Sequence, residues 1–445
     1  MRDPDATIRF ESNRVVRTLR EPLGQHHFLR STLARQWAER GSIVRFEETG
    51  VREVGSPRLP FLTYPNEWCD AQLFAAARHT LELQKEAVDA GFDLKDASAW
   101  NVLFNGTRPL FCDLLSFVPL SSRRWWALAQ YARHFLFPLL ISRYRGIHGH
   151  LAFQAWRDGM PPDVASAAMG TRRFLTRFWP LMAGARRNIG SADFRASAAS
   201  DTGDAAAVKR FRESLHASLE WWLAGLAPRA RPNRRGSWGA YRNERGHYKD
   251  EAVSSKRTWI AQWLADLKPE WVADLGCNSG EFSFMAAEAG ASVVAVDSDH
   301  DSVEAMFRVA GATGRLYPVL ASLDDLNGAR GWGGTEFRGL SERMAGSFDL
   351  VMMLALIHHL AVAASVPLDA IAAFARACTR RWLIIEFIDP KDPQMQLLCT
   401  RHQRNAEEFS VARQRDAFLR AGFVLQAQVQ LDNDTRVLSL LELRA

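Results

Sequence analysis

The stretch VADLGCNSGEF (272–282) closes an apolar run and opens a helical one. It holds Asp274, Gly276 and Gly280, with Asn278 between the two glycines. Glycines let a backbone approach a ligand closely, and a helix N-terminus offers N–H groups that have no partner inside the helix. Roughly 20 residues on, the distance usual between a glycine turn and a ribose-binding acid, a second apolar run ends in Asp297. A carboxylate there can accept both hydroxyls of a ribose. The pattern is D-x-G-x-x-x-G, not GxGxxG, and Asp274 stands where a pyrophosphate would be repelled. An acid at that point suits a nucleoside ligand with a cationic amino-acid end.

Those residues need elements to carry them. WVADLGC (271–277) reads as a buried strand, FSFMAAEAG as a helix and SVVAVDSD (292–299) as a second strand. A helix through VEAMFRVAGA follows, then strands near LYPVLA and at FDLVMMLAL (348–356), a helix around LDAIAAFARAC, and the strand RWLIIEFI (381–388). Strands alternating with helices mean a doubly wound, mostly parallel sheet. FVLQAQVQL and RVLSLLELR flank a tight DNDT turn, which predicts an antiparallel hairpin at the sheet edge.

With that hairpin, the glycine turn and Asp297, the C-terminal part resembles the class I S-adenosylmethionine-dependent methyltransferases. The resemblance implies a seven-stranded α/β sheet and S-adenosylmethionine as cofactor. Asp274, Gly276, Asn278 and Gly280 would shape the pocket for the methionine end, and Asp297 would bind ribose. Asn278 stands where these enzymes have a central glycine, a mild departure because Asn tolerates left-handed backbone. An acid is expected after the third strand, where VLASLDDL places Ser322 with Asp324 or Asp325 beside it. The fourth strand, DLVMMLALIHHL (349–360), would line the transfer site, with Leu354 against the cofactor and His358 and His359 beside it. Either histidine can deprotonate a hydroxyl or amine acceptor; alternatively one caps the next helix and the other packs. Glu386 is a carboxylate in an apolar strand, facing substrate or pairing with an Arg at the sheet edge. Upstream, His247 and Tyr248 either close over the cofactor or staple a helix start.

A second chemical stretch lies far upstream. DLKDASAWNVLFNGTRPLFCDLLSF (93–117) sets Asp96, Asn101 and Asp113 around a hairpin turned at Asn105-Gly106. The layout resembles a kinase catalytic loop, which implies Asp96 as proton acceptor and Asn101 and Asp113 as Mg²⁺ ligands. Yet no GxGxxG precedes it, no lysine precedes Lys85, and Asp113 is followed by Leu114-Leu115 where protein kinases have Phe-Gly. Three readings stand: a structural remnant bonding a turn, a retained nucleotide or metal site, and active phosphoryl transfer.

A broader resemblance covers nearly the whole chain. LPFLTYPNEW (59–68), LKDASAWNVLF (94–104), PLFCDLLSF (109–117), HYKDE (247–251), DLGCNSGEFS (274–283), GWGGTEFRGLSER (331–343), LALIHHL (354–360) and LIIEF (383–387) are similar to two-part bacterial nodulation proteins of the NoeA type. This implies an N-terminal kinase-like α+β accessory domain over 1–184, a mobile segment, helix and linker over 185–237, and a methyltransferase domain over 238–445. Within the first part, 73–91 and 125–144 read as helices, the second interrupted at Pro138, and another helix covers roughly 206–226.

Composition excludes several classes. The chain has 445 residues, 47% hydrophobic and 24% charged, so it is globular and long enough for two or three cores. A net charge of +6 over this length permits a nucleic-acid partner without arguing for one. Five scattered cysteines with no CxxC spacing predict reduced thiols, not zinc or disulfides. With no apolar core at the N-terminus, a cytoplasmic enzyme without a membrane partner is expected. The expected reaction is methyl transfer to a small metabolite or glycoconjugate. The alternatives are RNA or protein as acceptor, a kinase-like phosphotransferase, and a scaffold that only binds S-adenosylmethionine.

Overall fold

The computed structural model describes residues 5–179, 182, 205–229, 250–311, 314–431 and 435–444. His247, Tyr248, residues 185–204 of the expected mobile segment and residues 230–237 of the linker lie outside these. The chain divides into two compact units, Met1–Ala230 and Arg231–Ala445.

In the first unit, β1 (Ala6–Phe10), β2 (Arg14–Leu19), β3 (Glu47–Gly50) and β4 (Glu53–Pro57) form an antiparallel sheet in the order β1-β2-β4-β3. Helix Asp70–Asp89 follows, burying Leu73, Ala76, Leu81, Gln84 and Val88 along one face at the helical period. Two short antiparallel pairs come next: β5 (Phe92–Leu94) with β8 (Phe117–Pro119), and β6 (Val102–Asn105) with β7 (Arg108–Phe111). Asn105 pairs with Arg108, so Gly106 and Thr107 make a two-residue loop, entered through Gly106 at φ +62°. Aromatic rings fill the core: Phe28 stacks on Phe117 at 4.5 Å, and Trp37 meets Phe117 edge-on at 5.1 Å.

The break expected at Pro138 is absorbed differently. Helix Leu128–Tyr131 runs through a π-turn, Ala132–Leu136, into helix Phe137–Arg145 without stopping. A wide turn just before a proline moves aside the carbonyl its ring would strike. Helix Ala205–Gly225 is pinned by a buried ion pair, Arg212 to Asp93 at 2.5 Å.

The second unit is built on seven strands: β9 (Trp271–Leu275), β10 (Ser292–Asp297), β11 (Leu316–Leu320), β12 (Phe348–Met353), β13 (Thr379–Ile388), β14 (Phe423–Leu431) and β15 (Arg436–Leu443). Their order is β11-β10-β9-β12-β13-β15-β14. All pairings are parallel except those of β15 with β13 and β14. This is the sheet that the resemblance implied: seven strands, mostly parallel, with an antiparallel edge hairpin. The central strands are covered on both faces, which is why they read as unbroken apolar runs. β9 and β12 are neighbours although β10 and β11 come between them in sequence. The order therefore reverses there, opening a crevice at the carboxyl ends of these strands. Among the described residues, no helix is long and apolar enough to cross a membrane.

Candidate active site

A cavity of about 440 Å³ occupies that crevice. Its walls include Asp274, Gly276, Asn278, Asp297, Ser322, Asp324, Leu354 and His359. Eight of the residues singled out from the sequence are thus brought together from four strand ends. Gly280, His358 and Glu386 stand behind the wall.

The glycine turn gets its shape from three left-handed residues: Gly276 at φ +74°, Asn278 at +51° and Gly280 at +85°. A Cβ on Gly276 would meet Leu356 Cδ1 at 3.0 Å, and one on Gly280 would meet Met306 Sδ at 2.7 Å. Gly276 thus keeps the wall open, and Gly280 lets Met306 of helix His300–Ala310 pack against the turn. The Asn278 N–H donates to Asp297 Oδ2 at 2.7 Å, and the Asp299 N–H to Oδ1 at 2.8 Å. Asp297 therefore holds the turn as well as facing the cavity. Burial raises its carboxyl, and the two backbone N–H groups oppose the rise.

Asp274 is buried at the tip of β9, where Ser283 Oγ donates to its Oδ2 at 2.6 Å. Burial pushes this carboxyl up to about 6 against the Ser283 hydrogen bond; Asp297 adds to the rise and Lys256 opposes it. After β11, the Ser322 hydroxyl donates to the Asp324 carboxylate, and both face the cavity.

Beyond β12 the chain turns sharply. Ala355 takes φ +52°, a left-handed conformation that costs a non-glycine residue about 1–2 kcal/mol. A π-turn, His359–Ala363, follows. Its wide spacing sets His359, Leu360, Ala363 and Ala364 on the cavity wall. His358 packs behind it, 2% exposed, with the two ring centres 4.0 Å apart. Burial, then the neighbouring His359 and Arg436, hold His358 well below the usual imidazole range. Burial and Arg436 lower His359 to about 4. Both imidazoles are neutral at pH 7.

Glu386 does not reach the cavity. It is fully buried in β13, where Oε2 meets Lys256 Nζ at 2.5 Å and Oε1 meets Arg436 Nη1 at 3.0 Å. Arg436 in turn grips Asp392 through Nε at 2.8 Å and Nη2 at 3.3 Å. Burial would raise the Glu386 carboxyl, but Lys256 and Arg436 outweigh it and hold it below the usual range. Lys256 was not singled out from the sequence, although it lines the cavity. A signal existed: on helix Asp250–Leu267 it shares one face with the buried Ile260, Trp263 and Leu264.

In the first unit, Asp96, Asn101 and Asp113 are engaged in local turns. Asp96 Oδ1 accepts from the Ser98 N–H at 3.0 Å and from Gln130 Nε2 at 2.7 Å. Asn101 Nδ2 donates to the Asp96 carbonyl at 3.5 Å. Asp113 accepts from the Leu115 N–H at 3.2 Å and the Ser116 hydroxyl at 2.5 Å, capping a short helical turn. Arg17 of β2 donates to the Cys112 carbonyl at 2.7 Å, just before Asp113.

Over 410 residues the chain is 30% identical to the nodulation protein NoeA of Rhizobium meliloti (strain 1021), covering 88% of this chain and 84% of that one. The chain belongs to the NoeA family of nodulation proteins. No protein-family model matches this NoeA-family chain. Similar solved structures include magnesium protoporphyrin IX methyltransferase (ChlM) from Synechocystis PCC 6803 with bound SAM, 18% identical at a TM-score of 0.33, covering 46% of this chain and 91% of that one. Another is an S-adenosylmethionine-dependent methyltransferase from Mesorhizobium loti, 17% identical at a TM-score of 0.30, covering 41% and 97%.

Proposed function

We propose that the second unit binds S-adenosylmethionine and transfers its methyl group to a hydroxyl or amine of a small metabolite or glycoconjugate. The observation that carries this reading is the shared cavity of Asp274, the Gly276–Gly280 turn and Asp297 at the point where strand order reverses. The residues fit the group. Gly276 leaves room for close backbone approach, Asp297 can accept ribose hydroxyls, and Asp274 can receive an amino-acid ammonium.

When bound, the sulfonium supplies a methyl already activated for in-line displacement. The chain's share is to align the acceptor and exclude water. Leu354, Ala355, Leu356 and Leu360 supply the apolar wall that does so. His359, neutral at pH 7, accepts the proton that the acceptor loses as its new bond to carbon forms. S-adenosylhomocysteine is the other product. Asp274, Asp297 and Asp324 outnumber Lys256 on the cavity wall, which disfavours a polyanionic acceptor such as RNA.

Calorimetric titration with S-adenosylhomocysteine tests the binding half. Wild type is expected to bind, and Asp297→Ala to bind about 10- to 100-fold more weakly, as befits a lost charged hydrogen bond. Absence of binding to wild type at millimolar ligand would overturn the proposal.

A further inference from the structure

We infer that Lys256 is the cation that receives the α-carboxylate of the bound nucleoside's amino-acid end, held in place from behind by Glu386 and Arg436. This rests on the proposed S-adenosylmethionine site. An amino acid is a zwitterion, so its pocket needs an anion for the ammonium and a cation for the carboxylate. Among the described residues lining the cavity, Lys256 is the one lysine or arginine, against the carboxylates of Asp274, Glu281, Asp297 and Asp324. Without it, so acidic a cavity would repel a carboxylate.

Its location matches the methionine end. Lys256 Nζ lies 5.0 Å from the centre of the Phe282 ring, in the helix that opens directly after the glycine turn. It is also the cation that acts on Asp274, whereas the cation acting on His359 is Arg436. Lys256 therefore stands beside the helix that carries the glycine turn.

Lys256 is also fixed. Its side chain is 10% exposed, and Glu386, fully buried, binds it at 2.5 Å. Glu386 is bound by Arg436, and Arg436 by Asp392, so charge alternates along a buried chain from the edge hairpin to the cavity. An ammonium has three donors, and the bond to Glu386 uses one. The others remain for a ligand, with a charge whose geometry is set beforehand.

Ligand truncation separates this role from others. S-adenosylhomocysteine carries the amino-acid end and 5′-methylthioadenosine lacks it. Titration of wild type, Lys256→Met and Lys256→Gln is expected to show S-adenosylhomocysteine weakened about 10- to 100-fold in both variants, the loss typical of a charged hydrogen bond. Methylthioadenosine should change less than about twofold, which also reports that the variants are folded. Decarboxylated S-adenosylhomocysteine should bind wild type and Lys256→Gln alike. Equal weakening of both nucleosides, or unchanged binding of S-adenosylhomocysteine with slower methyl transfer, would overturn the assignment. Wild type that binds both nucleosides while the variants lose nothing sinks only the Lys256 role. Wild type that binds neither sinks the cofactor reading together with it.

Discussion

Asp274 ties affinity to pH. With its carboxyl near 6, it is largely protonated at pH 5 and ionised at pH 7. The ligand's α-amino group, that of a free amino acid, is cationic across that range. Affinity for S-adenosylhomocysteine should therefore rise from pH 5 to 7, with protons released on binding near pH 6. Calorimetry in buffers of different ionisation enthalpy measures both, and Asp274→Asn should flatten the profile. His359 behaves oppositely to a free imidazole. Held near 4, it is already neutral at pH 5.5, so turnover at saturating ligand should show no step near 6.5. His359→Ala should slow turnover by about 10²–10⁴ if it takes the acceptor proton, with ligand affinity preserved. A step near 6.5 that vanishes in His359→Ala would contradict the neutral assignment.

At the scale of elements, the buried chain Lys256–Glu386–Arg436–Asp392 joins a helix, two strands and the segment after β13. Glu386→Ala leaves Lys256 without its partner and Arg436 with Asp392 alone, and should lower stability by about 3 kcal/mol, read from the urea midpoint. The turn after β12 makes a contrasting prediction. Ala355→Gly removes left-handed strain at the cost of chain entropy, and should raise stability by up to about 1 kcal/mol. A loss of stability there would mean that the turn is not strained. These elements also show what the sequence could and could not disclose. The parallel strands were legible because burial on both faces leaves unbroken apolar runs. Asn278 was legible because few residues tolerate its backbone angle. Glu386 stood out as a charge in an apolar strand, but its partners lie 130 and 50 residues away, and no local pattern links them. The π-turn that decides which histidine faces the cavity has no periodic signature. β3, EETG, is exposed throughout and carries no alternation to read.

For the molecule as a whole, buried neutral histidines set the response to acid. His134 is held near 3, and His216 and His359 near 4, chiefly by burial. Unfolded, each takes a proton near 6.5. Between those values the unfolded chain binds more protons, so stability is complete above about 6.5 and falls as pH drops toward 4. Asp274, raised to about 6, and Asp297 and Asp93, also raised by burial, pull the other way over part of that range, but the lowered histidines, which include His79 and His358, outnumber them. The urea midpoint should be lower at pH 4.5 than at pH 7; an equal or higher midpoint would contradict the buried-neutral assignment. In the first unit Asp96 accepts from the Ser98 N–H and from Gln130, and Asp113 caps a short turn, while the second unit presents its acids to a cavity. The most direct test is to incubate the full chain with S-adenosylmethionine labelled in the methyl group and an extract of its own host cell. Wild type should move the label to an acceptor, and Asp297→Ala should move it about 10- to 100-fold more slowly at label concentrations below saturation. Label that stays on the nucleoside, although wild type binds it, would contradict methyl transfer.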